Sequence, residues 1–404
     1  MPQIELVAER LVAGGACLAR EPSGRVVLVD GALPGERVRV ALTQQKKTLA
    51  KGDVFEVVEA SPQRVAPPCP ALAAGCGGCD LQHATHDLQR AAKAGIVADA
   101  LARIGRLRDV AIDAGEYLDP WAHRTVLRCG VDADGRAGLR HRRSNDVLAL
   151  DACPVAHPLV DEVLAGSHFP GAEEVTVRVG ARTGERLVVV APSAGAVQVP
   201  DGVQVVGADR LDGTDPHPGA AVHEVVARCR FRISGGSFFQ SRPDGAEALV
   251  RAVRRALGTV DPATARVADL YGGVGLFTVA LGVRRGVLVE RAASSAADAR
   301  HNLAGREVVV VADSVEAWAQ DRAHAFDAVV ADPARAGLGA TGVAAVARTG
   351  AGRVALVSCD PAALARDARG LVDAGYRVVG VELVDLFPQT HHVEAVTAFE
   401  LDGP

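Results

Sequence analysis

The chain contains no apolar run approaching the roughly twenty residues that a membrane-crossing helix requires, so we expect no membrane association. Its first residues, Met1-Pro2-Gln3-Ile4-Glu5, offer neither a basic n-region nor an apolar h-region. Without an export signal the expected compartment is the cytoplasm. There, the eight cysteines are expected as thiols or metal ligands rather than disulfides. A basic excess is also missing: the formal charge is −5, and lysine occurs only at Lys46, Lys47, Lys51 and Lys93. That balance excludes a uniformly basic nucleic-acid binder and leaves only local basic patches. Arginine is plentiful, but beside the excess of Ala, Gly and Val its abundance reflects composition alone. Neither an internal repeat nor a low-complexity linker is visible. With 404 residues, 49% of them hydrophobic, the chain has material for two or three domains with real cores. We expect a globular monomer.

Three stretches follow one another. Residues 1–60 read as short strands around Gly/Pro turns, such as Val26-Val27-Leu28-Val29 and Val54-Phe55-Glu56-Val57-Val58, which predicts a small barrel of the OB type. Lys46 and Lys47 at a hairpin tip suit phosphate contact, although a solvated turn accounts for them equally. Residues 61–234 form a central α+β region that opens with Cys69, Cys76 and Cys79. Its segment 86–107 has helical periodicity, and part of it is expected against the C-terminal domain. Residues 235–404 alternate strand and helix, which calls for a doubly wound parallel sheet. Strands are predicted at 266–271, 286–290, 307–312, 326–331, 353–358, 377–385 and 393–400. The last two are too closely connected to be anything but antiparallel. Seven strands ending this way make an α/β, Rossmann-like sheet of the methyltransferase type.

Its cofactor end begins at Asp269-Leu270-Tyr271-Gly272-Gly273-Val274-Gly275, where Gly273 and Gly275 allow a sharp turn and close approach to a ligand. The next strand ends in Glu290, where a ribose-hydroxyl acceptor belongs. Asp313 and Asp332 close the third and fourth strands. Ligands bind outside these strand ends, so the acids converge on one crevice. A sulfonium cation suits them; a pyrophosphate does not. Singly, each acid reads as well as a helix cap.

The chemistry end is Ser358-Cys359-Asp360-Pro361 and, thirty residues on, Phe387-Pro388-Gln389-Thr390-His391-His392-Val393-Glu394. Alone, Cys359 reads as a small buried hydrophobe. Paired with Glu394 across one crevice it reads as a nucleophile with its base. Such a pair suits attack on a pyrimidine: a thiolate adds to C6, C5 becomes carbanion-like and takes a methyl group, and a base removes the C5 proton. Asp332-Pro333-Ala334-Arg335 lacks the aromatic that follows this proline in exocyclic-amine methyltransferases. It also lacks the cysteine found there in RNA cytosine-C5 enzymes.

With Gly235-Gly236-Ser237-Phe238-Phe239-Gln240 added, these motifs run almost end to end, and the chain resembles the RNA uridine-C5 methyltransferases that make 5-methyluridine in transfer and ribosomal RNA. The resemblance implies a TRAM-like barrel over 1–60 and S-adenosylmethionine held by Gln240, Tyr271, Glu290 and Asp332. It also implies Cys359 as nucleophile and Glu394 as proton acceptor. Departures are Leu276, where the family often has Asn, and Ser241-Arg242 in place of Val-Asn.

Cys69, Cys76, Cys79 and Cys153 look like the four ligands of a [4Fe-4S] cluster in part of the family. Zinc in a Cys₄ site and unligated thiols remain as alternatives, because the first gap is one residue longer than the usual pattern. Arg124, Arg140, Arg142 and Arg143 form a basic segment that the resemblance assigns to RNA, though a solvated arginine turn fits the residues too. Single-stranded loops let a base be splayed out, and the target base must flip into the pocket. The barrel tilts the expected substrate towards ribosomal RNA. A catalytically silent RNA-binding protein and a methyltransferase of non-RNA substrates are the competing readings.

Overall fold

The computed structural model describes residues 2–211, 220–320 and 325–402. Alternation of buried and exposed residues along β1 (Gln3–Leu11), β2 (Cys17–Arg20), β3 (Val26–Asp30), β4 (Arg37–Gln45) and β5 (Leu49–Glu59) turns one face of each strand inward. Leu6, Ala19, Val27, Val29, Val38 and Val40 fill the interior. The strands close in the order β1-β2-β3-β5-β4, and closure leaves no free edge. Glu36, fully buried, receives both Nε and Nη2 of Arg64 at 2.6 and 2.7 Å, and so pins the chain leaving the barrel.

Next come a short α1 (Pro70–Ala73) and the long α2 (His86–Arg103), capped by Thr85 accepting from Leu88 N. The two-residue β6 (Ile112–Asp113) follows. A six-stranded sheet then forms from β7 (Val126–Val131), β8 (Ala137–Arg140), β9 (Val147–Ala149), and, after α3 (Pro158–Ala165), β10 (Glu174–Val179), β11 (Arg186–Ala191) and β12 (Val203–Gly207). Its order is β12-β11-β10-β7-β8-β9. The hairpin β13 (Ala221–Val226) and β14 (Cys229–Ser234) leads into the last domain.

There α4 (Pro243–Ala256), β15 (Arg266–Leu270), α5 (Leu276–Ala280), β16 (Arg285–Val289), α6 (Ala293–Asn302), β17 (Glu307–Val311), α7 (Val315–Trp318), β18 (Ala328–Ala331), α8 (Gly339–Arg348), β19 (Arg353–Ser358), α9 (Pro361–Asp373), β20 (Tyr376–Leu383) and β21 (Ala395–Leu401) alternate. The sheet order is β17-β16-β15-β18-β19-β21-β20-β6, parallel except for β21, which runs against both neighbours. Strands such as β18 are buried on both faces, as a sheet covered by helices requires. The expected seven strands become eight, because β6 adds to the outer edge beside Val381 and Glu382. Two residues carry no periodicity from which such a strand can be read. Helix α2 does reach this domain: Val97 and Leu101 share a core with Leu364, Ala368 and Leu371 of α9. The strand order reverses between β15 and β18, which sets a crevice above their C-terminal ends.

Candidate active site

A cleft of about 820 Å³ opens at that switch point. It is lined by Gln240, Tyr271, Gly273, Glu290, Asp313, Asp332, Cys359 and Glu394, so eight of the nine residues predicted for catalysis and cofactor binding meet in one space. Gly275 is the exception. It stands at φ 92° before α5 and faces Leu288 and Leu303 rather than the cleft. Gly273, at φ 55°, turns its N–H to Glu290 Oε2 at 3.0 Å. The other oxygen of Glu290 accepts from Ala292 N at 2.6 Å. A carboxylate with about four lone-pair sites keeps free acceptors for a diol beyond these two bonds.

Local rules explain the chemistry end. Ser358 closes β19, Asp360 caps α9 by accepting from Ala363 N at 2.8 Å, and Pro361 occupies the first turn, where its missing N–H costs nothing. Cys359 is thereby held in the turn, half-buried, on the cleft side. Glu394, 5% exposed, immediately precedes β21, whose Ala395 pairs with Ser358. One antiparallel register therefore brings the thiol and the carboxyl together.

The cleft is acidic and poor in compensating charge. Burial raises Cys359 to about 11, and the charges of Glu394 and Asp332 push the same way, while Arg335 opposes them. Burial, followed by repulsion from Asp269, also raises Asp332. Glu394 rises well above its usual range through burial and then Asp332. Beneath them Asp269, 1% exposed, is lifted to about 6 by burial although Thr278 donates both its N–H and its hydroxyl to it. A cationic ligand would offset all of these shifts. The folded protein consequently holds these protons more tightly than the unfolded chain does. That stability is complete below about pH 4 and is lost as the pH rises through the raised values. Thermal melts of the ligand-free protein should therefore show Asp332→Asn equal to wild type near pH 4. At neutral pH the variant should be more stable by roughly 2 °C or more.

Further residues, among them the Leu276 noted above, also line the cleft. Glu316 accepts from the Tyr271 hydroxyl at 3.2 Å. His392 lies edge-on to Phe387 with ring centres 5.9 Å apart, and burial depresses it to about 4, so it is neutral at ordinary pH. Phe238 stands 69% exposed at the rim. Leu276 is buried against the cleft wall.

The basic segment divides. Arg140, Arg142 and Arg143 line an open groove of about 580 Å³ beside Gly77 and Gly78. Arg143, however, pairs with Asp30 and Asp53, fastening the groove to the barrel. Arg124 lies outside the groove, where its charge reaches Cys79 and His392. Lys46 and Lys47 are exposed between β4 and β5.

Cys69, Cys76 and Cys153 are buried and Cys79 half-buried. Their thiols lie within electrostatic reach of one another: Cys76 of Cys69, Cys79 of Cys153 and Cys76, and Cys153 of Cys69. Gly78 N donates to Cys76 Sγ at 3.4 Å. Among the described residues, no three His, Cys, Asp or Glu side chains converge on the coordination sphere of one metal ion.

Comparison with known proteins adds family information. The family profile described as tRNA (Uracil-5-)-methyltransferase matches residues 318–400, and that of the TRAM domain matches residues 6–55. An uncharacterised RNA methyltransferase of Streptomyces avermitilis is 37% identical over 96% of this chain and 95% of its own. The 23S rRNA (uracil(1939)-C(5))-methyltransferase RlmD of Chromohalobacter salexigens is 34% identical, covering 99% of this chain and 90% of its own. Among solved structures, the Pyrococcus abyssi tRNA (uracil-54, C5)-methyltransferase in complex with S-adenosyl-L-homocysteine superposes with a TM-score of 0.72. It spans 98% of this chain and 99% of that one at 24% identity, a likeness of fold. Among the described residues, no helix is long and apolar enough to cross a membrane.

Proposed function

The chain belongs to the RNA uracil-C5 methyltransferase family, and on that premise we propose that it methylates C5 of a uridine in structured RNA, ribosomal before transfer RNA. The observation that carries this reading is the convergence of Cys359, Glu394 and a predominantly acidic wall on one cleft. Bound S-adenosylmethionine supplies an electrophilic methyl group. Glu290 would offer acceptors for its ribose, Asp313 and Asp332 would offset its positive charge, and Gln240 and Tyr271 would complete the donor site. From the chain come the nucleophile and the base. The Cys359 thiol first loses its proton to solvent, its sulfur then bonds to C6 as the thiolate, and the C5–C6 electron pair moves towards C5 and O4. After C5 has gained the methyl group, Glu394 takes the C5 proton, the C5=C6 bond re-forms and the sulfur leaves. The net products are 5-methyluridine, the demethylated donor and one proton.

Ribosomal RNA is favoured by the 34% identity to a 23S rRNA enzyme and by the barrel. Mapping 5-methyluridine in ribosomal and transfer RNA of cells with and without the gene tests the proposal. Loss at a ribosomal uridine supports it, and unchanged RNA in both classes overturns it. Arg140 and Arg142 are the groove cations proposed for RNA phosphate, with Lys46, Lys47 and Arg124 as outlying contacts.

For the four cysteines we propose a [4Fe-4S] cluster. Zinc at about 2.3 Å from each sulfur would draw the thiolates onto one point, whereas a cubane spaces them around its corners. The four thiols lie within electrostatic reach of one another, which supports a shared site, and the resemblance to iron–sulfur members of the family favours the cluster. Anaerobically purified protein should contain about four irons and four sulfides per chain, and Cys153→Ala should lose them. One equivalent of zinc would replace this assignment.

A further inference from the structure

We propose that Asp80 and Gln89 are positioning residues for the methylation, locking the loop 387–392 so that Glu394 and His392 face Cys359. The inference rests on the roles given above to Cys359 and Glu394. The loop contains Gln389 at φ 67°, a left-handed conformation uncommon outside glycine that persists only where the surroundings over-determine it. Those surroundings come from outside the catalytic sheet. Asp80 N and Leu81 N both donate to Gln389 O, at 3.1 and 3.0 Å. Gln389 N donates to Gln89 Oε1 at 2.7 Å, and Gln89 Nε2 donates to Gln389 Oε1 at 3.0 Å. The same Nε2 reaches Leu81 O and Ala84 O at 3.1 and 3.0 Å. Gln89 is fully buried, so its amide has no alternative partner in water and its bonds are correspondingly costly to break.

Two residues further on, His391 N donates to Asp80 Oδ1 at 2.9 Å, and His391 Nδ1 pairs with Asp80 Oδ2. His391 in turn packs at a tilt against His392, ring centres 4.3 Å apart, and His392 lines the same cleft as Glu394. The start of the loop is gripped by the same segment: Lys93 Nζ donates to Phe387 O at 2.9 Å and to Asp385 Oδ1 at 2.6 Å. Asp385 Oδ2 also meets His86 Nε2 at 2.7 Å. Gly15, in the barrel turn between β1 and β2, completes the junction. A Cβ there would stand 2.9 Å from Asp80 Oδ2 and 3.3 Å from His391 Nδ1, at a φ of 83° that favours glycine. Barrel, cysteine loop and catalytic loop therefore meet at one point. Asp80 directly follows Cys79, so the position of the base is set by the cysteine loop rather than by the catalytic domain alone.

The test uses the full-length protein with RNA carrying tritium at uridine C5. Asp80→Ala is expected to slow tritium release by about ten- to a hundredfold, as a small misplacement of a catalytic group does. It should still form the covalent adduct with 5-fluorouridine RNA and bind S-adenosylhomocysteine within about twofold of wild type. Asp80→Asn, which keeps an acceptor for His391 N–H, should recover most of the release rate. Amide hydrogen exchange at 389–391 should quicken about tenfold or more in Asp80→Ala. Wild-type release together with wild-type exchange in that variant overturns the clamp. Should the wild-type protein itself form no adduct, the reaction assigned to Cys359 fails, and exchange at 389–391 still decides whether Asp80 holds the loop.

Discussion

Alanine at position 359 removes methyl transfer to RNA, a loss on the order of 10⁴-fold or more, while leaving the fold and donor binding in place. The reason is chemical before it is structural. C5 of a uracil attacks a methyl group only after a nucleophile has added at C6, and among the described residues Cys359 is the one thiol lining the cleft. Ser358 is 5% exposed at the end of β19, and its hydroxyl is a far weaker nucleophile than a thiolate, so Cys359→Ser should be equally inactive. The donor contacts proposed above, Glu290 and the glycine turn, follow β16 and β15, which the substitution does not touch. Denaturing gels with 5-fluorouridine RNA give the direct measurement. Wild type yields a retarded protein–RNA band and Cys359→Ala yields none, while calorimetry returns the same S-adenosylhomocysteine affinity for both. A retarded band from the alanine variant would move the nucleophile elsewhere.

That the position of the proposed nucleophile was legible reflects how local its determinants are. A strand end, a capping aspartate and a proline in the first helical turn are neighbours in sequence, and they settle where Cys359 stands. The position of Glu394 was legible for a related reason: the short connection between the last two strands forces them antiparallel, and the proposed base sits where that connection meets β21. Gly273 and Gly275, by contrast, look alike in sequence. Only the path of the chain shows that one N–H reaches Glu290 and the other residue turns towards Leu288. Arg143 reads as an RNA contact until Asp30 and Asp53, some hundred positions earlier, are seen to receive it. The clamp on the catalytic loop was the least accessible feature. Gln89 and Gln389 stand 300 residues apart, and no periodicity or spacing rule connects positions that distant.

Glutamine at position 394 separates addition from release. The variant should form the C6 adduct and methylate C5, then release the product about 10² to 10⁴ times more slowly, the usual worth of a positioned general base. Methylated RNA should therefore accumulate in covalent linkage to the protein from ordinary uridine substrates, with tritium from C5 retained. Glutamine keeps the size of glutamate, and the backbone bond from Val384 N to the carbonyl of residue 394, 2.9 Å, is independent of the side chain, so β21 should form unchanged. The electrostatics give the assignment its content. Burial and the nearby Asp332 raise the Glu394 carboxyl, which makes its anion a stronger base than a solvated carboxylate and brings it nearer to the working pH. The same repulsion means that Glu394 and Asp332 resist being ionised together unless positive charge enters the cleft. Binding of a cationic donor would thus favour the anionic, basic form of Glu394, linking its activation to the presence of the methyl group it serves. Rapid turnover by Glu394→Gln would remove that link and make Asp332, half-buried after β18 and coupled electrostatically to Glu394, the next candidate for the C5 proton.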